Sequence, residues 1–212
     1  MYLRDLVAVA PRYARAINLE RDAATDAAVN GYVVTQTADL FLRRLAAAFG
    51  DAGRHRAWTL TGPYGTGKSA FLLYLSALLG PSAARGRVAR NILKEQHPDT
   101  AQSLNNARAL TREGFAPILV SGSPGSILRA IAVTAARDLR SLYSVGRPSV
   151  AYRRLEGFTK PGAEISPRQL VSTLEEITTS LRESGKARGV LLVIDELGKF
   201  LEHAVQGRGA ED

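Results

Sequence analysis

The chain has 212 residues, 45% of them apolar, and a formal net charge of +8 with a sequence pI of about 10.1. That length suits one sizeable domain, or one domain with an arm. The absence of cysteine excludes disulfides, thiol catalysis and cysteine–metal sites, and no apolar run approaches the roughly 20 residues that a membrane span needs.

The basic excess admits contact with nucleic acid or another polyanion. It is spread along the chain without a dense basic run, and only five of the 28 basic residues are lysine, as in an Arg- and Ala-rich chain from a GC-rich genome. His55, His97 and His203 are scattered without metal-ligand spacing. Met1 to Ala16 mixes Arg4 and Asp5 into a short apolar stretch, a poor signal peptide, so the default location is the cytoplasm.

Residues 1–53 read as an N-terminal helical arm and linker. Asn30-Gly31 marks a turn and Tyr32-Val33-Val34-Thr35 an extended piece. Thr35 or Thr37 then caps a helix through Leu40, Phe41, Leu45 and Phe49. The run from Gly31 to Thr35 has two readings, a linker that contacts a nucleotide base or plain packing of the N-terminal helix.

Residues 54–212 read as the core. Ala57-Trp58-Thr59-Leu60-Thr61 is a short strand-like run. Gly62-Pro63-Tyr64-Gly65-Thr66-Gly67-Lys68-Ser69 follows and fits G-x-x-x-x-G-K-S, the phosphate-binding loop. Its glycines let successive N–H groups turn inward toward phosphate oxygens. Lys68 reaches the β and γ phosphates, and the Ser69 hydroxyl takes one site on Mg²⁺. An apolar helix from Ala70 to Leu79 starts at the loop and adds its positive end to the same anion.

Residues 85–115 read as a polar helical insertion, broken where His97 meets Pro98. Ala116 to Ser121 is the second strand. Gly122-Ser123-Pro124-Gly125-Ser126 is a strand–helix turn, leading into a helix through Ile127 and Leu142. Residues 145–165, rich in Gly, Pro and Arg, read as an irregular loop. Ser166-Pro167-Arg168-Gln169 is a capping-box start for a helix carrying Leu170, Leu174, Ile177 and Leu181 on one stripe.

Gly189 to Glu196 is a non-alternating apolar run, expected for a strand of a parallel sheet buried on both faces. It ends in two acids. Asp195 is placed to hold Mg²⁺ through water, and Glu196 to orient, or take a proton from, the water that attacks the γ-phosphate.

The motif from Gly62 to Ser69, together with Val193-Ile194-Asp195-Glu196, resembles the AAA+ and STAND-type (ASCE) P-loop ATPases, in which a catalytic glutamate follows the Walker-B aspartate. Residues 57–75 and 191–201 look like the ATP-binding domain of large bacterial ATPases, some associated with DNA or with defence against phage. Tyr64 departs from the proline that AAA+ proteins often carry there, and Ser69 replaces the commoner threonine. The resemblance implies a three-layer α/β P-loop core with a parallel sheet, ATP and Mg²⁺ as ligands, and a neighbouring subunit supplying an arginine finger.

The family's sheet places a fourth strand, later in sequence, between the P-loop and Walker-B strands. Only a short helix and a polar tail follow Glu196, so the core is expected to be incomplete at its C-terminal end, the N-terminal part of a larger ATP-binding protein. Kinase- and GTPase-like folds, with the two strands side by side, are the alternative topology. The expected function is Mg-ATP binding and hydrolysis coupled to conformational change. The alternatives are an ATP-binding regulatory switch with little turnover and a DNA-dependent motor or loader; a small-molecule kinase is disfavoured by the Asp195-Glu196 pair.

Overall fold

Helix dominates the described residues, as an Ala-, Leu- and Arg-rich chain favours. The computed structural model describes residues 17–23, 25, 29–50, 56–81, 83–144 and 148–208. In chain order the elements are α1 (Leu19–Asp22), α2 (Gln36–Gly50), α3 (Lys68–Leu79), α4 (Ala84–Gln96), α5 (Pro98–Asn106), β1 (Ala116–Ser121), α6 (Ile127–Leu139), a 3-10 turn (Arg140–Tyr143), α7 (Val150–Phe158), α8 (Pro167–Glu183), β2 (Val190–Asp195) and α9 (Leu197–Arg208). The chain is therefore α/β, and its described residues are mostly helical with a small parallel sheet of two strands. The N-terminal stretch read above as a poor signal peptide lies outside the described residues.

Local chemistry sets most helix boundaries. The Thr35 hydroxyl accepts the Ala38 N–H at the start of α2. His97 takes φ −141° and ψ 70° before Pro98, which breaks the helical path between α4 and α5. Ser166 and Gln169 form the reciprocal capping box at the start of α8.

Two expectations change. Residues 145–165 are not wholly irregular, because α7 lies within them. The Ser149 hydroxyl caps α7 by accepting the Tyr152 N–H, and Ala151, Tyr152, Leu155 and Phe158 are buried at helical spacing. Flanking Pro148, and Gly157 inside the helix, masked that stripe. The expected helical insertion is the pair α4–α5, which contributes Ala89, Leu93, Ala101 and Leu104 to the same core cluster as α2 and α3. Ala57 to Thr61 joins no sheet among the described residues. β-branched and aromatic residues favour a strand, but a strand exists only where a neighbour completes its ladder.

The two strands pair in parallel with Ala116 opposite Val190 and Ser121 opposite Asp195. Leu119, Leu191 and Val193 pack with Leu19 of α1 and with Leu72 and Leu73 of α3. On the other face, Ala116, Ile118, Val120, Val190 and Ile194 join a cluster built from α6, α7, α8 and Phe200 of α9. Helices thus cover both faces.

The two edges differ. The Ala116 N–H donates to Gly189 O, and the Gly122 N–H to Asp195 O. In a parallel ladder this alternation turns Pro117, Leu119 and Ser121 outward on β1, and Val190, Leu192 and Ile194 outward on β2. The β1 edge is closed. Pro117 has no N–H, the Leu119 N–H donates to Asp138 Oδ2 at 3.0 Å, and the Ser121 N–H donates to Glu20 Oε1 at 3.3 Å. No such blocking group meets the β2 edge among the described residues, and Leu192 is 38% exposed there. β2 is therefore an edge strand, less enclosed than its unbroken apolar sequence predicts.

Candidate functional site

α3 fixes the geometry of the site. It is almost entirely apolar, and Phe71 and Leu73 to Leu79 are buried. Its C-terminal end meets the start of β1, where the Phe115 N–H donates to Leu79 O at 2.9 Å. Further back along the helix, Leu72 and Leu73 pack with Leu119 and Val193, so α3 runs antiparallel to the strands it covers. Its N-terminal residues, Lys68 and Ser69, point toward the sheet end where β2 delivers Asp195 and Glu196. The start of α3 and the end of β2 thus lie toward the same end of the sheet.

The loop from Gly62 to Gly67 has the backbone that its glycines suggest. Gly65 and Gly67 both take φ +81°, a left-handed conformation that a side chain disfavours. Nothing lies within 4 Å of a Cβ at either position, so conformation rather than space demands glycine. Gly67 is the residue before α3 and turns the chain into it, the first helical bond running from the Phe71 N–H to Gly67 O. The Thr66 hydroxyl donates to Pro63 O. The Lys68 ammonium folds back over the loop, donating to Gly62 O at 2.8 Å and Pro63 O at 2.7 Å. Ser69 is half-buried at the first turn, and Tyr64 stands at the tip of the loop, 91% exposed.

The acid pair is held by the strand end beside it. The Gly122 N–H donates to Asp195 O, and the Glu196 N–H donates to its neighbour's Oδ1 at 3.0 Å. Glu196 takes φ +54°, uncommon for a residue with a side chain. A Cβ on Gly122 would lie 2.2 Å from Glu196 O, so only glycine admits this approach. The Glu196 carboxylate meets Lys199 Nζ at 2.7 Å across the first turn of α9. By sequence Gly122 is only the start of a strand–helix turn, and Lys199 has no assigned role. Gly122 carried a signal as the first residue after a strand. Lys199, three residues after Glu196 at a helix start, carried one by spacing alone.

The run from Gly31 to Thr35 is fastened to Gln96 and His97. The Val34 N–H donates to Gln96 Oε1 at 2.8 Å, Gln96 Nε2 donates to Tyr32 O, and His97 Nε2 lies 2.9 Å from Val34 O. Tyr32 stacks on Tyr74 with ring centroids 4.4 Å apart, and burial pushes its hydroxyl up to about 12. The main-chain groups a base edge would use at Tyr32 and Val34 are engaged inside the protein. Behind them sits Asp39, buried, bonded to the Thr100 hydroxyl and Arg43 and 3.3 Å from His97 Nδ1. Burial pushes the Asp39 carboxyl up, but the bonds from Thr100 and Arg43 and the His97 and Arg43 charges outweigh it and hold the group below its ordinary range.

No group of three or more His, Asp or Glu side chains positioned for a metal ion occurs among the described residues, nor does any helix long and apolar enough to cross a membrane. The donors at the site are Lys68, the amides that open α3, the Ser69 hydroxyl and the Asp195 carboxylate. They suit a polyphosphate with a hard cation that takes only one or two protein oxygens. Compared with protein-family models, curated proteins and solved structures, the chain matches none of them.

Proposed function

We propose that the chain binds Mg-ATP and hydrolyses it, with turnover coupled to a conformational change. The observation that supports this reading is the shared end of the sheet, where the glycine loop with its lysine and the Asp195-Glu196 pair arrive on different elements. The amides from Gly65 to Ser69 cradle the phosphates, and Lys68 exchanges its two loop carbonyls for β and γ phosphate oxygens. Ser69, and Asp195 through water, would hold a magnesium ion, which would supply charge neutralisation for the phosphates. Glu196 orients the attacking water. The same proposal carries a three-layer P-loop core, in which the open β2 edge is the place for further strands of a larger parallel sheet, and a cytoplasmic setting.

The test is ATP binding and Mg-ATP turnover by the purified chain, with and without duplex DNA, for the native protein, Lys68→Ala and Glu196→Gln. Lys68→Ala should lose binding. Glu196→Gln should bind and turn over at least ~100-fold more slowly. Nucleotide binding indifferent to Lys68 rejects the proposal. Long retention of ATP in single turnover replaces it with a regulatory switch, and stimulation by DNA with a motor or loader. Activity that rises with protein concentration indicates a neighbouring copy supplying an arginine finger.

A further inference from the structure

The main chain of Glu196 is fixed on all sides. Its N–H is taken by Asp195 Oδ1. Its carbonyl accepts the Lys199 N–H at 3.0 Å and lies against Gly122, where no side chain fits. The residue is thereby locked at φ +54°. What remains free is the side chain, and a half-exposed glutamate samples several rotamers. Its carboxylate has one bonded partner among the described residues, the Lys199 ammonium at 2.7 Å. Lys199 also lies in the field of Asp195 and Glu202, and the Glu196 bond and charge hold its ammonium above the ordinary lysine range.

We infer that Lys199 is the positioning residue for Glu196: it pins the carboxylate in one rotamer at the end of β2, so that the group is already oriented when water and nucleotide arrive. The inference rests on the ATP-hydrolysis reading of the site and adds a residue to it. Lys199 touches no phosphate in this role. It acts through Glu196, and its effect belongs in the chemical step rather than in nucleotide affinity. The pair is solvent-exposed, 47% and 50%, so the benefit is modest, on the order of two- to fivefold in rate.

The experiment measures kcat and KM for Mg-ATP in the native chain, Lys199→Met, Lys199→Arg, Glu196→Gln and the double variant Glu196→Gln/Lys199→Met. Lys199→Met should lower kcat by about two- to fivefold with KM unchanged, and Lys199→Arg should restore it. In the Glu196→Gln background the same substitution should change nothing, because the carboxylate it positions is gone. A second readout needs no nucleotide. With ¹³Cε-labelled lysine, Lys199 should titrate at higher pH in the native protein than in Glu196→Gln. An unchanged kcat in Lys199→Met, an equal effect in both backgrounds, or a Lys199 titration indifferent to Glu196 overturns the inference and leaves the ATP reading standing. A native chain that binds no ATP overturns both.

Discussion

Replacing Gly122 by alanine places a methyl carbon 2.2 Å from Glu196 O and 2.9 Å from both its carbonyl carbon and its Cβ. All three atoms belong to a residue held by its neighbours, so no flexible side-chain end can yield. Relief to ordinary contact needs a displacement of about 1 Å, either of the Gly122 turn or of Glu196 itself. Overpacking of this kind costs about 1–3 kcal/mol, which for a chain of this size lowers the thermal midpoint by about 2–12 °C. The larger consequence is for chemistry, since a ~1 Å misplacement of a positioned catalytic group is worth up to roughly 100-fold in rate. If the proposed ATPase reading holds, Gly122→Ala should lose turnover out of proportion to its stability, while ATP binding, which that reading assigns to the loop before α3, persists. Gly157→Ala is the control of opposite sign. Gly157 lies in α7 with nothing within 4 Å of a Cβ, and alanine there should raise stability by ~0.5–1 kcal/mol. Calorimetry and steady-state turnover on both variants decide the matter. A Gly122→Ala protein with native midpoint and native rate refutes the steric argument.

Three further outcomes follow from the packing. The Asp39 carboxyl is held below its ordinary range in the fold. Its contribution is therefore complete above the unfolded value, ~3.9, and is lost as pH falls through the folded value; thermal midpoints between about pH 2 and 6 should decline less steeply in Asp39→Asn than in the native chain. Gln96→Ala strips the partner from the Val34 N–H and from Tyr32 O, and should cost ~1–3 kcal/mol in urea unfolding; a loss under a few tenths would show that water replaces both bonds. Ser166→Ala breaks the capping box of α8 and should cost ~0.5–2 kcal/mol, with Ser166→Thr recovering most of it.

Local geometry was legible where it is written in short contiguous runs. G-x-x-x-x-G-K-S carries its own turn geometry, and Gly65 and Gly67 adopt the left-handed conformation that their lack of Cβ permits. Ser166 to Gln169 specifies a helix start within four residues, and His97-Pro98 specifies a break, because steric and hydrogen-bond preferences act at that range. Contacts between distant segments were not legible. Residues 57–61 have strand composition, but no local signal says whether a neighbouring strand will complete the ladder. Nor could composition show that Gln96 and His97 fasten the 31–35 run, 62 to 64 residues away, or that Gly122 makes room for the Glu196 carbonyl. Side-chain type and spacing determine which chemistry is available, since they act through neighbours along the chain. Tertiary packing alone decides which groups meet, because only the antiparallel lie of α3 across the strands brings the loop and the acid pair to the same end of the sheet.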